Sequence, residues 1–119
     1  PTLKIVEHIK SLNIPVICFP KGIGKNYIDF NRIVKPNCLS IDYEVDPKMI
    51  KEKCKETVIQ GGLDPKILLG KKENIKKEVE NYLRIFSDHP YVFNLGHGVL
   101  PDTKPETIEY ITNLVRNKK

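Results

Sequence analysis

Thr57-Val58-Ile59-Gln60-Gly61-Gly62, running on through the helical pattern of Asn74 to Phe86 into Tyr91-Val92-Phe93-Asn94, is the stretch whose reading decides the fold. Thr57 to Gln60 and Tyr91 to Asn94 are brief, rich in β-branched or aromatic residues, and bounded by Gly, Pro, Asn or Asp, as short buried strands are. Between them Ile75, Val79, Tyr82, Leu83 and Phe86 recur at the spacing of one helical face. Strand, helix and strand in this order imply a parallel pair, because parallel neighbours need a crossover connection.

Working outward, Pro15 to Phe19 and Cys38 to Asp42 read as two further strands, and Thr2 to Leu12 as a leading helix with Ile5, Ile9 and Leu12 on one side. Asp46 before Pro47 offers a capping carboxylate with proline in the first turn. Thr103 and Glu106 are expected to form a reciprocal capping box ahead of Ile108, Ile111 and Val115. The order is one helix, then strand and helix four times, which makes an α/β fold with a parallel sheet. An open flavodoxin-like sheet fits this length; so does the latter half of a closed eight-stranded barrel, which typically needs ~250 residues. Periodicity leaves both open.

With 119 residues, 39% apolar and 29% charged, the chain reads as one soluble globular unit. It contains no run of about 18 apolar residues, and Pro1-Thr2-Leu3-Lys4 does not resemble a signal peptide, so a cytoplasmic setting without a membrane is expected. Cys18, Cys38 and Cys54 are odd in number and far apart, which suggests reduced structural thiols rather than a disulfide framework or a CxxC pair. The net charge of +5 comes largely from lysines of helical stretches and the tail, such as Lys72, Lys76, Lys77, Lys118 and Lys119. Arginine and aromatic interleaving is missing, so no nucleic-acid partner is expected.

Six of the seven glycines follow a predicted strand: Gly22 and Gly24, Gly61 and Gly62, Gly96 and Gly98. In both architectures ligands bind at the carboxyl ends of the strands. The same loops carry Lys21, Asp42, Tyr43, Asp64 and His97, and of these an imidazole can donate, accept or transfer a proton near neutral pH. Lys21-Gly22-Ile23-Gly24-Lys25 has neither GxxxxGK[ST] nor GxGxxG spacing, and no HExxH or paired CxxC is present, so neither a nucleotide nor a metal site is expected.

Phe93-Asn94-Leu95-Gly96-His97-Gly98-Val99-Leu100-Pro101-Asp102, followed by Pro105-Glu106, resembles the carboxy-terminal signature of uroporphyrinogen decarboxylases. Matches in the same order run through Phe19-Pro20-Lys21-Gly22, Ile41-Asp42 and Val58-Ile59-Gln60-Gly61-Gly62-Leu63-Asp64-Pro65. The resemblance implies a single (β/α)8 TIM barrel, with residues 1–119 as its carboxy-terminal half and the amino-terminal half absent. It also implies an enzyme, homodimeric when whole, that uses no cofactor to turn the four acetate arms of uroporphyrinogen into the methyl groups of coproporphyrinogen in haem biosynthesis. His97 corresponds to the family's active-site histidine, and Gly96, Gly98, Lys21 and Asp42 join it as candidate substrate-binding residues.

The family's arginine-rich motif, its pyrrole-contacting aspartate and its cleft tyrosine and serine have no counterpart here. Tyr43 stands where tryptophan is common, and Gly62 where asparagine is common. The expectation is therefore a fragment, inactive alone, that pairs with a missing half. The alternative is a noncatalytic porphyrinogen-binding remnant or split-barrel partner subunit. A related cobalamin-linked methyltransferase ranks last, because its zinc-ligand histidine and cysteine pattern is not apparent.

Overall fold

A computed structural model describes residues 1–117; Lys118 and Lys119, counted above among the tail lysines, lie outside the described residues. Helix α1 (Thr2–Ser11) leads into β1 (Ile17–Cys18), a 3-10 turn (Gly24–Asn26) and α2 (Tyr27–Val34). Strand β2 (Cys38–Ile41) and α3 (Pro47–Lys53) follow, then β3 (Val58–Gly61), a second 3-10 turn (Pro65–Leu69) and α4 (Lys72–Ile85). Strand β4 (Tyr91–Val92) and α5 (Pro105–Arg116) complete the order. All four predicted strands are present. The edge strands are shorter than their apolar runs, because backbone pairing stops before the runs do.

The sheet is wholly parallel, in the order β1-β2-β3-β4. That order resolves the two architectures. A flavodoxin-like sheet reverses direction at a switch point and carries helices on both faces. Here every crossover adds the next strand on the same side, so crossovers of one hand place every helix on one face. One core contains Tyr27 from α2, Ile50 from α3, Ile75 and Val79 from α4 and Ile111 from α5, packed with Leu39, Ile41 and Ile59 of the sheet. The chain is a four-strand arc of a (β/α)8 barrel.

The opposite face points away from the helices. Ile17 on β1 and Val92 on β4 are 57% and 46% exposed, whereas Leu39, Ile41 and Ile59 on the helix-covered face are fully buried. Among the described residues no helix is long and apolar enough to cross a membrane. Cys18, Cys38 and Cys54 are free and buried, and burial pushes each thiol up, away from the reactive thiolate.

Helix starts follow local chemistry, with one correction. The Asp46 carboxylate accepts from Lys48 N–H at 3.0 Å with Pro47 in the first turn, as expected. The Thr103–Glu106 capping box does not form. Helix α5 begins at Pro105 with Lys104 as its extended N-cap (φ −79°, ψ 139°), and Thr103 Oγ1 is buried without a partner. The reason is Pro105: the residue before a proline is disfavoured in the helical region. Lys104 therefore cannot be the first helical residue that a Thr103 cap requires.

Gly62 illustrates how closely α4 packs on the sheet. Its φ is +104°, and a Cβ there would lie 2.6 Å from Tyr82 Cε1. The Tyr82 hydroxyl in turn donates to the Gly62 carbonyl at 2.8 Å. Gly62→Ala is expected to cost about 2–4 kcal/mol from combined overpacking and backbone strain. Gly22→Ala has φ +81° but nothing within 4 Å, and should cost only about 1–2 kcal/mol. Urea midpoints of the two variants, read at constant slope, check the contrast.

The Tyr82 phenol is pushed up to about 12, first by burial and then by the charges of Glu78, Asp46 and Asp64; burial likewise raises Tyr27 and Tyr91. An unfolded tyrosine releases its proton near 10, so between about 10 and 12 the unfolded state binds fewer protons than the native one and stability falls as pH rises. Urea unfolding followed from pH 9 to 12 should show this alkaline loss, and Tyr82→Phe should make it shallower.

Candidate active site

The loops at the carboxyl ends of β1, β2 and β4 meet around one buried carboxylate. Asp42, 3% exposed, directly follows β2. Its Oδ2 accepts from Gly22 N–H at 2.8 Å and from the Tyr27 hydroxyl at 3.0 Å, and its Oδ1 accepts from Glu44 N–H at 3.0 Å. Asp42 N–H donates back to the Tyr27 oxygen at 3.1 Å. The carboxylate is thus engaged by the protein itself and fixes the turn after Lys21. Of the sequence candidates, Asp42 stands behind the surface rather than on it.

Gly96 fixes the other side of the site. Its N–H donates to Leu63 O at 2.7 Å, and an isolated parallel bridge between Leu63 and Leu95 carries the β3–β4 pairing beyond the strands. A Cβ on Gly96 would lie 2.5 Å from Tyr43 N and 2.9 Å from the Asp42 carbonyl carbon. The β4 loop therefore rests on the backbone that follows β2, an approach that only glycine permits. Gly98, by contrast, has nothing within 4 Å of a built Cβ; its contribution is its N–H, which donates to His97 Nδ1 at 2.7 Å.

These two anchored loops bring Lys21 and His97 together across 76 residues of sequence: Lys21 Nζ lies 2.7 Å from His97 Nε2, and both side chains are exposed. Asp64 is not part of this group. Its carboxylate accepts from Lys66 N–H at 2.9 Å and caps the second 3-10 turn. Tyr43 supplies backbone beneath Gly96, and its ring lies 5.8 Å from Lys66 Nζ.

Sequence reasoning missed the tyrosines that hold these loops. Tyr27 is fully buried against Asp42, and Tyr91 donates to the Gly61 carbonyl at 2.7 Å. The helical spacing of Tyr27, Phe30 and Val34 marks a buried face, but nothing in that spacing tells that the hydroxyl meets a carboxylate. A groove of about 720 Å³ between α3 and α4, lined by Lys48, Lys51, Arg84 and His89 among others, shares no residue with the strand-end loops. Size alone does not mark the site. Among the described residues no group of three or more His, Cys, Asp or Glu side chains could hold a metal ion.

Replacing Asp42 with Asn puts an amide donor where three protein donors converge. Asp42→Asn should cost about 1–3 kcal/mol and speed amide exchange at Gly22 and Glu44 before it affects the α4 core. Residue-resolved hydrogen exchange checks both the size and the location.

A family model described as uroporphyrinogen decarboxylase matches residues 1–118. A uroporphyrinogen decarboxylase of Rickettsia canadensis is 38% identical over 121 residues, covering 100% of this chain and 36% of its own length. Those of Rickettsia conorii and Rickettsia bellii are each 39% identical over 118 residues, covering 98% of this chain and 34% and 35% of their own lengths. The chain spans roughly a third of the length of the curated relatives it matches.

Proposed function

Because the chain belongs to the uroporphyrinogen decarboxylase family, we propose that residues 1–119 are the carboxy-terminal portion of one barrel domain that decarboxylates the four acetate arms of uroporphyrinogen to give coproporphyrinogen. The observation that carries this reading to particular residues is the 2.7 Å approach of Lys21 to His97 at the carboxyl ends of the strands, the end at which barrel enzymes do their chemistry. The exposed Ile17 and Val92 face suits an arc that needs further strands, since a barrel abolishes its edges by closing. The remaining strands are the partner this surface calls for, and a homodimer is the assembly of the whole enzyme. Free buried thiols suit a reducing, cytoplasmic setting.

The reaction needs an electron sink and two proton movements. Protonation of a pyrrole carbon makes the ring electron-deficient. The bond between the acetate methylene and its carboxylate then breaks, its electron pair enters the ring system, and carbon dioxide leaves. A proton delivered to the methylene carbon and loss of the proton added to the ring complete the methyl group, with one proton consumed for each carbon dioxide released. His97 has the chemistry to hold or move a proton at Nε2, and Lys21 supplies positive charge for a polyanionic macrocycle.

The test is to measure uroporphyrinogen consumption and coproporphyrinogen formation by this chain alone and with the remaining barrel strands supplied. Turnover is expected only in the second case, and His97→Gln should lower it by about 100-fold or more. Robust turnover by the chain alone would overturn the half-barrel reading. Tetrapyrrole binding without turnover in the complemented barrel would instead support a noncatalytic binding module.

A further inference from the structure

We infer that the groove between α3 and α4 is a binding site for a small polyanion carrying two or more phosphate groups, separate from the rim that holds Lys21 and His97. The inference goes beyond the decarboxylase reading and does not depend on it. The groove, of about 720 Å³, falls within the range of roughly 300–1,000 Å³ that small-molecule sites occupy.

Its position follows from topology. Lys55, Asp88 and His89 of its lining belong to the turns that enter β3 and β4, so the groove reaches the amino ends of the strands. There His89 Nε2 lies 2.8 Å from the Thr57 carbonyl oxygen. A carbonyl only accepts, so Nε2 carries a proton and the ring is tied to the start of β3. Barrel enzymes do their chemistry at the other end, and a ligand held here does not compete with substrate.

The charge of the lining carries the ligand class. Four permanent cations, Lys48, Lys51, Lys55 and Arg84, line the groove beside two carboxylates, Glu52 and Asp88. Lys51 pairs with Asp88, and among the described residues no ion pair joins Lys48 or Lys55 to a carboxylate. Lys51 and Arg84 stand in the last turns of their helices, where a cation complements the helix end. Lys48 has no such explanation. It follows Pro47 in the first turn of α3, where the helix end is itself positive and a cation is disfavoured. Lys48 and Lys51, three residues apart, also share one helix face and repel. An anion seated among these ammoniums removes that repulsion.

Phosphate groups suit this set better than a single carboxylate does. Each ammonium brings three N–H donors on a point charge, and a guanidinium can send two parallel N–H bonds to the oxygens of one phosphate. The cations come from both walls of the groove, Lys48 and Lys51 from α3 and Arg84 from α4. A ligand with at least two anionic centres meets both walls, whereas a single carboxylate satisfies one. Asp88 is then the competitor, because it holds Lys51 when the ligand is away.

The experiment titrates inorganic pyrophosphate into the protein completed to the length of its relatives, following binding heat and backbone amide shifts at low ionic strength, with citrate as the carboxylate arm. Pyrophosphate should saturate, shift the amides of Lys51, Lys55 and His89, and bind more tightly than citrate. Lys48→Gln and Arg84→Gln should each weaken it by roughly 3- to 10-fold, with urea midpoints unchanged. Asp88→Asn should tighten it by a similar factor, since the competitor for Lys51 is gone; a merely structural role for Asp88 would give no such gain. Equal or tighter binding of citrate would overturn the phosphate assignment. Shifts confined to Gly22 and Gly98 would place the anion at the substrate rim. That result, absence of saturation, undiminished binding in Lys48→Gln and Arg84→Gln, or no gain in Asp88→Asn would each overturn the site.

Discussion

The carboxylate of Asp42 accepts from Gly22 N–H, the Tyr27 hydroxyl and Glu44 N–H while almost wholly buried, and the arrangement of the strand-end loops depends on it. A buried carboxylate is tolerated only where hydrogen bonds replace the water it has lost. Meeting that need ties the β1 loop and α2 to the end of β2. The β4 loop then settles on the backbone of Asp42 and Tyr43 because Gly96 has no side chain to hold it off. Lys21 and His97 meet as a consequence of these two supports rather than through any strong attraction of their own, since contacts between exposed groups contribute little.

The one-sided sheet is the second organising constraint. Strands added in sequence order, each by a crossover of the same hand, leave all helices on one face. That face is closed by one core running from Tyr27 to Ile111 and by a smaller cluster of Val6, Cys18 and Val34 beside it. The other face, with Ile17 and Val92 exposed at its two edges, becomes the interior of a barrel once further strands join. The ligand end is then set by topology, because parallel strands bring all their following loops to the same rim.

Tyrosines do much of the loop holding. Tyr82 and Tyr91 donate to the adjacent carbonyls of Gly62 and Gly61, so a glycine pair with left-handed backbone is pinned from α4 and from β4. The Tyr82 ring also occupies the space that a side chain at residue 62 would need. This accounts for glycine at a position where the resemblance had suggested asparagine: the volume is already filled. A buried thioether or leucine could fill it as well, but only a phenol also satisfies the Gly62 carbonyl.

The sequence by itself determined the elements and their order. The apolar spacing of Ile75, Val79, Tyr82 and Phe86, the β-branched run of Thr57 to Gln60, and the Asp46-Pro47 start are local signals that depend on neighbours a few residues away. Local signals could mislead only where two of them competed, as at Thr103, where the capping pattern lost to the restriction imposed by Pro105 on Lys104. Periodicity leaves a barrel arc and an open sheet equal, and only the family resemblance points to the barrel; the tertiary structure alone decided the strand order, because pairing between strands is not encoded in either strand's own periodicity. It alone assigned Asp42 and Asp64 to holding loops, and it alone joined Lys21 to His97 across 76 residues. Hydrogen-bond partners and the fit of a glycine against a distant backbone are properties of packing, which exist only once the chain has folded.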